Sequence, residues 1–170
     1  MEMNGSYSNG SGCPTDAALI KDAEGFRQYR YYDSVGVPTI CYGQNLQNSG
    51  RRAEITALGK NFDAVMAGTQ ALSLSDCDRL LQSDLNIARA GVQRIYGNTV
   101  TCQCAHNVLV DMCYNLGEGG LSSFRTLKGY IQQENWQAAG NSLTTTLWYK
   151  QVGRRGPRNV AWIKTCPKLP

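Results

Sequence analysis

The spacing of apolar positions changes period several times along the chain. Leu19, Ile20 and Ala23 recur at helical steps, with Thr15 placed as an N-cap and Asp16 in the first turn, where the helix dipole favours a negative charge. Gly25 stops this run and leaves Glu24 at its C-terminal end. Aromatic and polar residues then alternate, Tyr29 and Tyr31 against Arg30 and Tyr32. A turn signal, Asp33-Ser34-Val35-Gly36, separates them from the β-branched run Val37 to Ile40. The expected order is helix end, strand, turn, strand, and such a hairpin folds Asp33 and Thr39 back towards Glu24.

Beyond a polar loop at 46–50 the period is helical again. Ile55, Leu58, Phe62, Val65 and Met66 predict a helix over 51–67, which Gly59 can break into two. Leu80, Leu81, Leu85, Ala88, Val92 and Ile95 predict a long helix over 75–96, opened by a Ser75/Asp78 pair resembling a capping box. At about 1.5 Å per residue it spans roughly 30 Å. Residues 102–115 are strongly apolar, with Val108, Leu109, Met112 and Cys113, and end at Gly117, as a buried central helix does. Further helices are expected over 127–133, 136–143 and 157–165, the last with Pro157 in its first turn. One hairpin in a mostly helical chain gives an α+β class. No internal repeat or charge block interrupts it.

Composition narrows the picture. The chain of 170 residues suits one domain, expected over 13–170 behind a flexible tail of Gly, Ser and Asn over 1–12 that has no apolar core and is not a signal peptide. No run is long and apolar enough to span a membrane. The net charge of +4 favours an anionic polymer, while the lack of a Lys/Arg run interleaved with aromatics gives nucleic acid little support. Seven cysteines with a single histidine and no Cys-x-x-Cys argue against zinc and for a secreted chain with up to three disulfides and one free thiol. Spacing leaves the pairing open.

The hairpin carries the candidate chemistry. Two carboxylates and a hydroxyl beside one groove are what glycoside hydrolysis uses: one acid protonates the leaving oxygen while a second carboxylate attacks the sugar or orients a water. Glu24 suits the acid, because burial at a helix C-terminus disfavours its ionised form. Asp33, in a turn, suits the ionised partner, and Thr39 can hold a water with it. Residue types alone do not single out this set, since most carboxylates are solvated surface groups.

The spacing Glu24, Asp33, Thr39, followed by Ile40-Cys41-Tyr42-Gly43, resembles the active-site signature of the phage-type lysozymes, glycoside hydrolase family 24. Two further blocks stand in the same order. One runs from Tyr114-Asn115-Leu116-Gly117 to Phe124; the other is Trp136, then Trp148-Tyr149 and the arginines Arg154, Arg155 and Arg158. The resemblance covers roughly residues 15–166. It implies a small hairpin lobe and a larger helical lobe joined by the long helix. It also implies cleavage of the β-1,4 bond between N-acetylmuramic acid and N-acetylglucosamine in peptidoglycan by an inverting route. Glu24 would be the acid, and Asp33 with Thr39 would position the water, with no metal or cofactor. Asn115 matches a position lining the saccharide cleft, and also reads as a helix C-cap. Arg155 matches an arginine paired with the catalytic Glu, where it would oppose the effect of burial. Such lysozymes also occur in invertebrate animals, bivalves among them, and a cysteine-rich secreted form fits that group.

The family layout further implies bridges from Cys13 and Cys166 to Cys102 and Cys104, with Cys41–Cys77 as a third and Cys113 as the free thiol. Two positions depart from the pattern: Cys41 stands where the family has Gly, and Gln44 where it has His. That His is a partner of an Asp at the position of Asp84, so a Gln44–Asp84 contact would be a plain hydrogen bond. His106 reads as structural, and Trp136, Trp148 and Trp162 as core rather than sugar platforms. The rival functions are a non-catalytic wall-binding protein of the same fold, a glycosidase acting on chitin, and a disulfide-stapled structural domain.

Overall fold

The computed structural model describes residues 12–168; apart from Gly12, the tail expected over 1–12 lies outside them. The described residues contain nine helices and one antiparallel sheet. In order they are α1 (Asp16–Glu24), β1 (Arg27–Tyr32), β2 (Pro38–Cys41), β3 (Gln44–Asn45), α2 (Arg51–Ala57), α3 (Phe62–Met66), α4 (Leu74–Tyr96), α5 (Gln103–Ser122), α6 (Arg125–Gln132), α7 (Trp136–Leu143), α8 (Leu147–Gln151) and α9 (Arg155–Lys164). They form two compact units. One is Ile20–Asn86, which holds the sheet; the other is helical and takes the chain up to Leu19 and from Ile87 onward. Both α1 and α4 run from one unit into the other.

In the sheet-bearing unit β1 pairs antiparallel with β2, and β2 with β3. The third strand has two residues, too few for an alternation to register in sequence. Ile20, Ile40, Leu46, Ile55, Val65, Leu72, Leu80, Leu81 and Leu85 are among its buried apolar residues. Gly59 (φ 80°) does break 51–67 in two, and Asn61 caps the second piece by accepting from Ala64 N. Two Ser-x-x-Asp pairs overlap at the start of α4. The capping box forms at Ser73/Asp76, with reciprocal bonds of 3.0 Å, rather than at Ser75/Asp78. Asp78 instead meets Lys21 of α1 at 3.1 Å.

The sequence did not reveal Arg51 as a core residue. Its side chain is 1% exposed. It donates to the carbonyl of Asn45, to Glu54 at 3.2 Å and to Asp84 at 2.8 Å. Gln44 is neutral and accepts from Tyr42 N through its side-chain oxygen. Arg51, seven residues later, brings the positive charge to Asp84. Arg51→Leu leaves Asp84 and Glu54 without it, which is expected to cost about 3 kcal/mol, read as a melting temperature lower by roughly 6–12 °C. Adding Asp84→Leu should return much of the loss; no recovery would mean that the ion pair is not what holds this segment.

In the helical unit, α5 is buried almost all round from Gln103 to Cys113, and its buried residues include the polar Gln103, Asn107 and Asp111 beside the apolar ones. It packs on α9, α9 on α7, and α7 on α6. Gly117 (φ 75°) kinks α5, so the helix expected to end there does turn, and a second helical segment continues to Ser122. Disulfides join Cys13 to Cys104 and Cys102 to Cys166 in this unit, and Cys41 to Cys77 in the other. Cys113 is free and buried. Trp136 and Trp148 are buried. His106 is mostly enclosed, and burial pushes its imidazole below the usual range.

Candidate active site

The site residues of the hairpin lie in one unit. Glu24 is the last residue of α1 and is half-buried. Its carboxylate lies against the backbone of Gly43, in the turn between β2 and β3. A Cβ built on Gly43 would come within 2.7 Å of Glu24 Oε2, and the local φ of +83° also suits glycine.

Asp33 follows β1 and is exposed. Its Oδ1 accepts from Val35 N and Val37 N, both at 2.9 Å, an Asx-type turn that fixes the carboxylate to the hairpin backbone. Both bonds fall on one oxygen, so Oδ2 is left to face a ligand. Thr39, in β2, is buried and donates its hydroxyl proton to the carbonyl of Val37 at 2.8 Å. With that proton committed, Thr39 Oγ1 can only accept from a water.

Tyr31 was not singled out by sequence, and register is the signal that reveals it. Its Cα is the cross-strand partner of Thr39, so those two side chains share one hairpin face, and Asp33 follows two residues later. Burial, with the negative charges of Glu24 and Asp33, pushes its phenol above the usual range against the opposing pull of Arg27. The Arg27 guanidinium sits 4.4 Å from the centre of its ring. The hairpin thus sets Tyr31 opposite Thr39, with Asp33 and Glu24 near enough to Tyr31 to act on it electrostatically.

The other two predicted residues belong to the helical unit. Asn115 is exposed, and its Oδ1 accepts from Trp148 Nε1 at 3.1 Å, which leaves its amide N–H groups as donors. Trp148 meets Phe124 edge-on. Both rings line a cavity of about 510 Å³ with Arg125, Ser142 and Thr146. Arg155 is 8% exposed and forks onto both carboxylate oxygens of the fully buried Asp111 at 3.1 Å. Among the described residues no group of His, Cys, Asp and Glu is placed to hold a metal ion, and no helix is long and apolar enough to cross a membrane.

A model of the phage lysozyme family matches residues 21–159, which takes in the hairpin and most of the helical unit. The chain belongs to the phage lysozyme family. It is also similar to the pre-baseplate central spike protein Gp5 of Enterobacteria phage T4, at 24% identity over 157 residues. That alignment takes in 88% of this chain and 27% of the spike protein, so the chain spans about a quarter of that relative's length. Membership supports a peptidoglycan hydrolase of the lysozyme type.

Proposed function

We propose that the protein is a muramidase that cleaves the β-1,4 bond between N-acetylmuramic acid and N-acetylglucosamine with inversion. The observation that carries this reading is the division of bonds at Asp33 and Thr39. One carboxylate oxygen and one hydroxyl proton are bound by backbone, leaving acceptors on both side chains. A water between them donates one hydrogen to Thr39 Oγ1 and one to Asp33 Oδ2, which turns its lone pair towards the anomeric carbon. As it attacks, Asp33 takes its proton, and Glu24 delivers a proton to the departing sugar oxygen. No cofactor takes part.

Asn115 suits the glycan through amide hydrogens that Trp148 leaves unused. Arg155, anchored by Asp111, is the second residue assigned to the substrate. The net positive charge supports attraction to an anionic wall. Three disulfides fit an extracellular protein with an antibacterial or digestive role.

The test of the water-holding pair is release of reducing sugar, with the anomer of the first product read by NMR. An α-anomer is expected from an inverting attack on a β-linkage. A β-anomer would mean that Asp33 acts as a nucleophile, and binding without release would favour the wall-binding reading. Gly43→Ala tests the seat of the acid. The added methyl meets Glu24 and strains the backbone, so turnover should fall about ten- to a hundredfold, for a stability cost of only about 1–2 kcal/mol. Unchanged turnover would show that Gly43 does not set the position of Glu24.

A further inference from the structure

Cys41 has φ 62°, in the left-handed region, and with Glu134 it is one of two non-glycine residues there among those described. Its place in the chain gives that conformation a consequence. Thr39 lies two residues before it, and Gly43, which backs the Glu24 carboxylate, two residues after. Residue 41 sits at the ragged end of the β1–β2 ladder, and the β2–β3 pairing stops at Ile40 and Gln44 on either side of the connection that holds it. Arg27 is the cross-strand partner of Cys41, but the register is irregular between Arg27 and Tyr31, so regular pairing begins only at Thr39. The covalent link to Cys77 adds a restraint from α4 that the strands do not provide. Cys77 is fully buried in the first turn of α4, donates to the carbonyl of Ser73, and stands beside the Ser73/Asp76 capping box that anchors the helix start.

We propose that the Cys41–Cys77 disulfide is a positioning device for the reaction. It holds residue 41 in a left-handed conformation that its side chain disfavours, and so seats the water-holding hydroxyl of Thr39 and the Gly43 backbone behind the acid at once. Without the bond, residue 41 relaxes towards ordinary extended backbone, and the two ends of the segment lose their common reference to α4. Cys41 and Cys77 touch no substrate and act through Thr39 and Glu24. The inference rests on the reading of Glu24, Asp33 and Thr39 as the site.

The discriminating comparison removes the bond with and without the conformational strain. Cys41→Ala/Cys77→Ala lacks the bond and keeps a side chain that resists φ 62°. Cys41→Gly/Cys77→Ala lacks the bond but adopts that φ freely. Double replacement leaves no unpaired partner to exchange with Cys113. Cys102→Ala/Cys166→Ala, in the other unit, controls for the general effect of losing a bridge. With kcat and KM measured on peptidoglycan below every melting transition, the Ala pair is expected to lose about ten- to a hundredfold in kcat with KM little changed. The Gly pair should stay within about threefold of wild type, because glycine needs no restraint there. Equal kcat in the Ala and Gly pairs, or an equal loss in the control, would overturn the proposal. Should the Ala pair be too unstable to assay, the Gly pair decides: near-native kcat supports the proposal, and a tenfold loss with a native spectrum overturns it.

A wild type that cleaves no peptidoglycan would sink the muramidase reading, and the positioning claim would then be judged separately. The measurement is the ¹³C carboxyl resonances of Glu24 and Asp33. They are expected to move in the Ala pair and return in the Gly pair; resonances unmoved in both overturn it.

Discussion

Glu24→Gln is expected to lower clearing of a peptidoglycan suspension by roughly a thousandfold, within the range that a positioned general acid contributes, and to leave the melting temperature nearly unchanged. The amide has the size and shape of the carboxylic acid, so the packing of residue 24 against Gly43 survives. What it lacks is a proton to give to the leaving oxygen, and an alkoxide is a poor leaving group without one. Wild type and variant should be compared side by side, because each pattern has a distinct meaning. Clearing by wild type alone assigns lysis to Glu24. Clearing by both assigns it to the basic surface, and clearing by neither favours a wall-binding protein of the same fold.

The largest effect on stability is expected at Asp111. This fully buried carboxylate on α5 receives Arg155 on both oxygens. Its Oδ2 also accepts from Arg158 at 3.2 Å and Asn159 at 2.9 Å. Arg158 in turn reaches the carbonyl of Leu19. Asp111→Ala takes the shared counter-charge from two guanidinium groups and leaves a void in the seam between α5 and α9. The expected cost is about 3–5 kcal/mol, seen as a melting temperature lower by roughly 6–20 °C. Because Asp111 aims Arg155, the variant should also raise KM for peptidoglycan more than it lowers kcat in the protein that remains folded. A small thermal shift would show that this cluster is not a stabilising centre, and an unchanged KM would separate Arg155 from the substrate.

Much of this was legible before the fold was known, and the reasons differ by element. The long helix α4, the split of 51–67 at Gly59 and the turn of α5 at Gly117 follow from apolar period and glycine placement, which are local. The hairpin followed from alternation and an Asp-Ser-Val-Gly turn. The N-cap of α4 was misplaced by two residues because two Ser-x-x-Asp pairs overlap. Lys21 drawing Asp78 away is a contact between elements that no local pattern contains. The two-residue β3 and the five-residue α8 are too short to show a period.

The α+β class, most helix positions and the family are legible in the chain alone, because spacing and motif order are properties of one dimension. Which atoms of Asp33 and Thr39 remain available follows from the closed hairpin, where backbone groups compete for them. The fold likewise sets Tyr31 opposite Thr39, Gly43 behind the acid, and the Arg51 cation beside Asp84. Each depends on register or on contact between segments remote in sequence, and hydrogen bonding and charge act on distance in space.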